Sequence, residues 1–178
     1  MQKLPGMRKA YEEVLGEIQG DIVITFSPDG NCIPELIPSL IETIKKGFDM
    51  VVVSRYLKEA ISYDDDMLTA FGNRLITGLI NLLFNAHHTD TLGIYRAYRA
   101  ELVQELELFE DPLHVSIEKL FRTNLSWQPL MSIRVSKRGK KFTEIPGDEP
   151  SRIYGKRKLQ AFKWGSAHIA QAFAEKFL

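Results

Sequence analysis

Hydrophobic residues in the first third of the chain follow two patterns in turn. Helical spacing predicts amphipathic helices over residues 7–18 and 36–46. Each is followed by a short β-branched run without polar alternation, residues 21–26 and 50–53, as expected for strands covered on both faces. Strand, helix and strand predict a βαβ unit with parallel strands and a right-handed crossover. Both strands should then end at one edge of the sheet, where open α/β sheets bind ligands.

The rest of the chain is predicted to be mainly helical. The predicted elements are a helix over residues 67–84, a strand over 94–98, a helix from 101, mostly helical structure over 113–138, a strand over 141–145 and a final helix over 156–178. Three aspartates, Asp64 to Asp66, precede the first of these helices, where they are expected to cap its N-terminus. No repeat or linker divides the chain, so the pattern predicts one α/β unit.

Composition narrows the class of protein. The chain has 178 residues, 44% of them hydrophobic, which suffices for one globular unit with its own core. Its 23 basic and 23 acidic residues balance, so no general attraction for nucleic acid is expected. The single cysteine, Cys32, excludes a disulfide framework. No uninterrupted apolar stretch approaches the roughly 20 residues that span a bilayer, and residues 1–6 lack the apolar core of a signal peptide. We therefore expect a cytoplasmic protein.

The turn after the first predicted strand carries candidate metal ligands. Ser27, Asp29 and Asn31 place side-chain oxygen atoms at alternate positions of this turn. Mg²⁺ and Mn²⁺ take oxygen ligands, and Mg²⁺ needs only one or two carboxylates when diphosphate oxygens complete its shell. The alternative is that these residues only build the turn, as residues of these types commonly do.

Two further segments carry charged candidates. Arg55 follows the second predicted strand, where its guanidinium could grip a phosphate or pair with a carboxylate. Asp90 and Arg96 flank Gly93 near the start of the next predicted strand. This segment is either an acceptor loop or a turn closed by an internal ion pair.

A basic segment precedes the last predicted helix. Arg152 and the three cations of residues 156–158 lie within seven residues. The apolar stripe of the following helix comprises Leu159, Phe162, Ile169, Phe173 and Phe177. Such a segment can lie on an anionic membrane surface. It can equally pack on the domain as a terminal helix with a solvated basic end.

These features occur in the order found in a known family. The chain resembles the family 2 inverting glycosyltransferases of the dolichyl-phosphate mannosyltransferase and polyprenyl-phosphate glycosyltransferase type, from residue 20 to about residue 159. The matching segments are residues 24–35 for the D-A-D-x-[QSH] region with its closing P-E, 53–56 for G-S-R-Y, 90–98 for D-x-x-x-G-F-R-A-Y, 144–146 for E-[IV]-P, and Arg152, Gly155 and Lys158 for R-x-x-G-x-S-K. The resemblance implies an α/β, Rossmann-like nucleotide-diphospho-sugar transferase fold of the GT-A type, with a mostly parallel sheet flanked by helices.

Two departures from the family pattern affect the site. Ser27 stands where the family has its first aspartate, so one charged ligand is missing. The strand that opens family members and cradles the nucleotide base has no counterpart, so the resemblance implies an N-terminally incomplete fold. We expect residues 1–155 to be a partial catalytic domain and residues 156–178 to be a C-terminal amphipathic helix of the same unit.

The function implied by the resemblance is inverting transfer of a sugar from a nucleoside diphosphate sugar to an acceptor. The roles carried over are Asp29 and Asn31 as ligands of Mg²⁺ or Mn²⁺, Asp29 and Asp90 as catalytic residues, and Arg55, Arg96, Arg152 and Lys158 as substrate-binding residues. A lipid phosphate acceptor is already ionised near neutral pH and needs no strong general base. A sugar hydroxyl would need one, such as Asp90 or Glu118.

Partners and location follow from the same hypothesis. The partners would be a nucleoside diphosphate sugar, a lipid phosphate or sugar acceptor, a membrane surface in peripheral contact at its cytoplasmic face, and a second copy in a homo-oligomer, but no nucleic acid. The alternative hypothesis is a non-catalytic remnant that acts as a binding or oligomerisation module, which Ser27 and the missing strand favour. A sugar nucleotidyltransferase is disfavoured because the chain has no glycine-rich N-terminal phosphate loop.

Overall fold

The computed structural model describes residues 7–109, 112–153 and 161–177. The helices are α1 (Met7–Leu15), α2 (Ile37–Lys45), α3 (Met67–Phe84), α4 (Leu102–Glu105), α5 (Pro112–Phe121), α6 (Trp127–Lys137) and α7 (Ala161–Phe177). The strands are β1 (Ile22–Thr25), β2 (Met50–Ser54), β3 (Arg96–Arg99) and β4 (Phe142–Pro146). The bounds of α3 are those that the sequence predicts. The helix predicted over residues 7–18 ends earlier, and the segment 113–138 forms two helices.

The four strands form one mixed sheet in the order β1-β3-β2-β4. β3 is antiparallel to both β1 and β2, and β2 is parallel to β4, with Met50 opposite Phe142. β1, β2 and β4 therefore point the same way, as a mostly parallel sheet requires, but β3 runs against them between β1 and β2. The predicted direction of the βαβ unit agrees with the structure, whereas direct pairing of its two strands does not occur. A hydrophobic pattern indicates that a strand is buried, but it does not indicate which strands lie beside it in the sheet.

β2 lies inside the sheet and is buried on both faces. Met50 and Val52 pack in one core cluster with Trp127 of α6, and Val51 and Val53 pack in a second cluster with α2. Successive side chains of a strand point to opposite faces, so a strand without polar residues must be covered on both sides. Burial of side chains of this size contributes about 1.5–3 kcal/mol each.

α3 begins with a capping box. The Asp66 carboxylate accepts a hydrogen bond from the Thr69 backbone N–H at 2.8 Å, and the Thr69 hydroxyl accepts one from the Asp66 N–H at 3.0 Å. The helix ends at Asn85, whose φ of 51° lies in the left-handed region that asparagine tolerates. Capping therefore falls to Asp66 alone among the three aspartates, because Asp64 and Asp65 pair with arginines.

The outward face of α3 is apolar. Its exposed residues include Met67, Leu68, Phe71, Leu75 and Leu82, each at least half exposed. Within the described ranges, α3 is the one helix that is long and apolar enough to cross a membrane by length and composition. A core helix of a soluble protein passes the same test, so this property alone assigns no membrane span.

α7 packs on α3 and α5 through a face that the sequence did not indicate. Its buried residues are Ala167, His168, Gln171, Ala172 and Glu175. His168 Nδ1 donates to Gln171 Oε1, and Gln171 Nε2 donates to His114 Nδ1 of α5, both at 3.0 Å. This polar chain and two small alanines let the helices approach closely.

The predicted apolar stripe of the last helix faces largely outward. Phe162 is 79% exposed, Phe177 75% and Phe173 43%, while Ile169 is half-buried. The structure therefore leaves open the membrane contact that the sequence suggested for this helix. Leu159 and the boundary predicted at residues 155 and 156 lie outside the described residues.

Candidate functional site

A cavity of about 700 Å³ lies where β1 and β2 end. Its walls include residues from the turn after β1, the N-terminal half of α3, the segments 92–95 and 147–152, and the α5–α6 connection. Residues lining it include Ser27, Asp29, Asn31, Cys32, Arg55, Asp64, Asp65, Leu68, Asn73, Ile76, Leu92, Ile94, Arg122, Asn124, Glu149, Arg152 and Trp164. The structure thus brings together four of the residues predicted for the site, namely Asp29, Asn31, Arg55 and Arg152.

Asp29 is held in place by its own turn. Its Oδ1 accepts a hydrogen bond from the Ser27 hydroxyl at 2.7 Å and a longer one from the Asn31 N–H at 3.5 Å. Gly30 makes the turn possible, because its φ of 92° is one that L-residues rarely adopt. Asp29 Oδ2 lies 3.8 Å from an Arg152 nitrogen. The carboxylate is therefore oriented, and one of its oxygens forms an ion pair with Arg152.

Asn31 lies deeper in the same wall. Its Nδ2 donates to Glu149 Oε1 at 3.3 Å, so the amide oxygen takes no part in this contact. That oxygen accepts a weak hydrogen bond from the Cys32 thiol at 3.6 Å. Burial raises the pKa of Cys32 to about 11, so this thiol is neutral and a poor nucleophile at ordinary pH.

Arg55 is surrounded by three carboxylates. Its Nε donates to Asp90 Oδ2 at 2.6 Å and its Nη2 to Asp90 Oδ1 at 3.1 Å, which is a bidentate pair. Nη1 lies 3.1 Å from Glu149 and 3.4 Å from Asp65. Of the two roles that the sequence allowed for Arg55, pairing with carboxylates describes this geometry. A phosphate could bind this guanidinium only by displacing Glu149 or Asp65.

Asp90 lies behind Arg55 and has no exposed surface. Its Oδ1 also accepts hydrogen bonds from Asn73 Nδ2 at 2.9 Å, the Gly93 N–H at 3.0 Å and the Leu92 N–H at 3.2 Å. Burial by itself would raise the pKa of Asp90, but the Arg55 guanidinium and these donors lower it below its usual value. A buried, ionised and fully hydrogen-bonded carboxylate is suited to fixing Arg55 and the 90–93 turn. Its predicted catalytic role would require access that this arrangement does not provide.

Arg96 lies away from the cavity, contrary to its predicted role in substrate binding. It is fully buried and donates to the backbone carbonyls of Gly93, Thr91 and Gln128 and to the Ser132 hydroxyl. Burial lowers its pKa to about 10. Its donors are occupied by loop carbonyls, so the side chain ties the 91–93 segment to α6. In the described structure, Asp90 and Arg96 therefore close the turn by separate bonds to its backbone.

Arg152 lies between two aspartates of the cavity wall, Asp29 and Asp64. Its Nε and Nη2 donate to the two carboxylate oxygens of Asp64 at 3.1 and 2.6 Å. The next residue, Ile153, donates its backbone N–H to the Asp29 carbonyl at 2.8 Å. The segment around Arg152 is thus attached to the turn that carries Asp29. Lys158, the other cation predicted for this segment, lies outside the described residues.

Two carboxylates that contact Arg55 could not be found from sequence pattern, and a third, Glu144, had a sequence signal but no predicted contact. Glu149 and Asp65 contact Arg55, and Glu144 of β4 accepts hydrogen bonds from the N–H groups of Thr89 and Asp90. Burial raises the pKa of Glu144 above its usual value. The E-I-P segment gave a signal for Glu144, but no local pattern shows that the loop after β4 folds across the ends of β1 and β2.

The donor set around Asp29 fits a divalent cation only with help from a ligand. Within the described ranges, no group of three or more histidine, cysteine, aspartate or glutamate side chains is arranged to hold a metal ion. Asp29 and Asn31 offer hard oxygen atoms, as Mg²⁺ and Mn²⁺ prefer. Two protein ligands suffice when diphosphate oxygens complete the shell, so the residues fit a metal bound together with a diphosphate.

An α/β sheet with an aspartate turn beside a cavity at its strand ends belongs to the class of α/β proteins that bind ligands beyond the carboxyl ends of their strands. Residues 2–107 match the model of Glycosyl transferase family 2, which is more than half of the chain. The chain belongs to this family.

Curated relatives and solved structures are consistent with this membership. A dolichyl-phosphate hexose transferase of Haloferax volcanii is 31% identical over 166 residues, which is 93% of this chain and 66% of the relative. A dolichol-phosphate mannosyltransferase of Pyrococcus furiosus is 28% identical over 162 residues, which is 89% of this chain and 42% of the relative. The Mycobacterium tuberculosis glucosyl-3-phosphoglycerate synthase with Mn²⁺, UDP-glucose and glycerol 3-phosphate superposes with a TM-score of 0.57 at 18% identity, over 97% of this chain and 56% of that one. The fold is that of the GT-A glycosyltransferases, and the chain spans less than two thirds of each of these proteins.

Proposed function

We propose that this chain is the part of a family 2 glycosyltransferase that binds the diphosphate of a nucleoside diphosphate sugar and presents the sugar to a lipid phosphate. The observation that carries the proposal is the oriented Asp29 carboxylate, which lies 3.8 Å from Arg152 in the wall of a cavity at the ends of β1 and β2. Relatives named for dolichyl-phosphate and undecaprenyl-phosphate transfer support a lipid phosphate as the acceptor.

The chemistry of this reaction needs little from the protein beyond binding and orientation. An oxygen of the acceptor phosphate attacks the anomeric carbon, and the bond from that carbon to the diphosphate oxygen breaks. The electron pair leaves with the nucleoside diphosphate, and attack from the opposite face inverts the anomeric configuration. Because the attacking phosphate is already ionised near pH 7, no general base is required.

The residues of the cavity have distinct roles in this proposal. Asp29 and Asn31 would hold Mg²⁺ or Mn²⁺ together with the diphosphate, and such an ion offsets negative charge on a leaving diphosphate. Arg152 would exchange Asp64 for a phosphate oxygen, with Lys158 as a further cation in the same segment. Arg55, fixed by Asp90, would set the electrostatic potential of the wall. The M. tuberculosis structure, which shares the fold, is a complex with Mn²⁺ and UDP-glucose, and this agrees with a divalent cation and a nucleoside diphosphate sugar as the ligands proposed here.

The alternative of a non-catalytic binding module is favoured by two observations. Arg55 and Arg152 both pair with carboxylates, and Ser27 stands where a further acidic ligand is expected. Such a site could bind a nucleotide sugar without turning it over. The family fold and this cavity would then serve recognition of a ligand or oligomerisation.

A transfer assay separates the two functions. The chain is incubated with labelled UDP- and GDP-hexoses, Mn²⁺ and a polyprenyl phosphate, and the label extracted into organic solvent is counted. We expect extractable label from at least one donor and a loss of ten-fold or more in Asp29→Asn, with Asp148→Asn as the control from the same cavity. NMR of the product gives the anomeric configuration, which should be inverted. Donor binding with no extractable label from any donor would favour the binding module.

A further inference from the structure

The cavity continues beyond its charged residues into an apolar region. Leu92, Ile94 and Trp164 line the main cavity and also a second cavity of about 260 Å³, which is lined by none of the charged residues around Asp29. Ile76 of α3 packs in the same apolar cluster as Leu92. The second cavity is also lined by Leu125 and by the uncharged polar residues Asn124, Ser126 and Gln128. A ligand that fills both cavities therefore needs a charged part and a largely apolar part.

Arg122 is a third cation of the cavity wall, and its pairing differs from that of Arg55 and Arg152. It lines the cavity from the end of α5, is exposed, and has a left-handed φ of 48°. No ion pair involves it within the described part of the chain, whereas Arg55 and Arg152 are both paired. An arginine without a carboxylate partner is free to bind an added phosphate in bidentate fashion.

Two residues of this wall come from outside the family match. Residues 2–107 match the family model, whereas Arg122 and Trp164 follow that segment in α5–α6 and α7. The donor end of the cavity draws on both parts of the chain, since Asp29 and Arg55 lie in the matched segment and Arg152 follows it.

The apolar wall also reaches the protein surface. Leu68 lines the cavity and is 51% exposed, and Phe71 and Leu75 follow it along the outward face of α3 at 63% and 51% exposure. Contiguous exposed apolar residues of this kind mark binding surfaces. A hydrocarbon chain longer than the cavity could continue along this face.

From these observations we propose that Arg122 and Trp164 form the acceptor subsite. Arg122 binds the phosphate of a lipid phosphate, Leu92, Ile94 and Trp164 contact the first part of its hydrocarbon chain, and the chain leaves past Leu68 along α3. This inference rests on the proposed function, because it names the acceptor residues of that same cavity. It adds two specificity residues that no sequence motif indicates.

The test compares phosphates with and without a hydrocarbon chain. Binding of farnesyl phosphate and of methyl phosphate is measured by calorimetry in the presence of nucleoside diphosphate and Mn²⁺, so that the result does not depend on turnover. We expect farnesyl phosphate to bind at least ten-fold more tightly than methyl phosphate. Arg122→Ala should weaken both about ten-fold, and Arg122→Lys should restore part of the loss. Trp164→Ala should weaken farnesyl phosphate alone.

Matched controls lie on the same helices. Lys119→Ala removes an exposed cation of α5, and Phe162→Ala removes an exposed aromatic ring of α7 that does not line the cavity. Both should bind as the unmodified chain does, and circular dichroism checks that all variants fold. Equal affinity for the two phosphates, or losses in the controls as large as in Arg122→Ala and Trp164→Ala, would overturn the subsite. A subsite that binds farnesyl phosphate in a chain without transferase activity would refute the proposed function alone.

Discussion

Replacement of Asp90 by asparagine should destabilise the protein more than any surface change. The substitution keeps the shape of the side chain and removes the negative charge that faces Arg55 Nε at 2.6 Å and Nη2 at 3.1 Å. Loss of one partner of a buried ion pair costs about 3–5 kcal/mol. Because Glu149 and Asp65 still contact Arg55, we expect the lower end, about 3 kcal/mol. For a chain of this size that corresponds to a fall in Tm of roughly 6–12 °C.

The effect should depend on pH with a defined sign. The folded pKa of Asp90 is lowered relative to that of an unfolded aspartate, about 3.9. Its contribution to stability is therefore complete above pH 4 and is lost as the pH falls through the folded pKa. The difference in unfolding free energy between the unmodified protein and Asp90→Asn should be full at pH 7 and should shrink in acid.

Urea unfolding followed by tryptophan fluorescence measures this difference, since Trp127 is buried in the core. Asp21→Asn is the control, because Asp21 is an exposed aspartate at the start of the same sheet. Surface substitutions of this kind usually change stability by less than about 0.5 kcal/mol. If Asp90→Asn unfolds at the same urea concentration as Asp21→Asn, the ion pair with Arg55 does not organise the site.

Three further outcomes are expected. Arg96→Lys should lower Tm, because hydrogen bonds to buried carbonyls are lost, while the affinity of the folded protein for the nucleoside diphosphate sugar stays unchanged. A loss of that affinity at unchanged Tm would instead support a role of Arg96 in substrate binding. Burial lowers the pKa of His168 to about 3 and that of His88 to about 4. The free energy of unfolding should therefore fall as the pH drops from 6.5 toward 4, and it should fall less steeply with pH in His168→Gln. An equally steep fall in that variant would contradict a neutral, buried His168. The chain should float with anionic liposomes at low salt and be released as salt rises, as a basic segment beside exposed phenylalanines requires; flotation with neutral liposomes alone would contradict this.

The buried strands and the long helix were predictable because their determinants are local. Residues 50–53 carry no polar side chain, and a strand of this kind must be covered on both faces, as β2 is. Asp66 precedes an apolar run at helical spacing, and it caps α3 where the sequence indicates. The position of Asp29 in the turn after β1 follows in the same way from the end of a strand and the presence of Gly30.

The pairing of charges could not be predicted, because it depends on contacts between distant segments. Arg55 meets Asp90 and Glu149 from sequence positions 35 and 94 residues away. The insertion of β3 between β1 and β2 is likewise a long-range choice among buried strands. In α7 the phenylalanines face largely outward and the packing face is formed by alanines and polar residues, because spacing alone does not show which face of a helix packs on the domain.

The most direct test of the account is the Mn²⁺ dependence of nucleoside diphosphate binding at Asp29. Calorimetric titration of the chain with UDP or GDP, with and without Mn²⁺, is compared for the unmodified protein, Asp29→Asn and Asp148→Asn. The account predicts binding of at least one nucleotide that requires Mn²⁺, is weakened ten-fold or more by Asp29→Asn and is unaffected by Asp148→Asn. Binding that is equally tight without Mn²⁺, or equal in all three proteins, would contradict it.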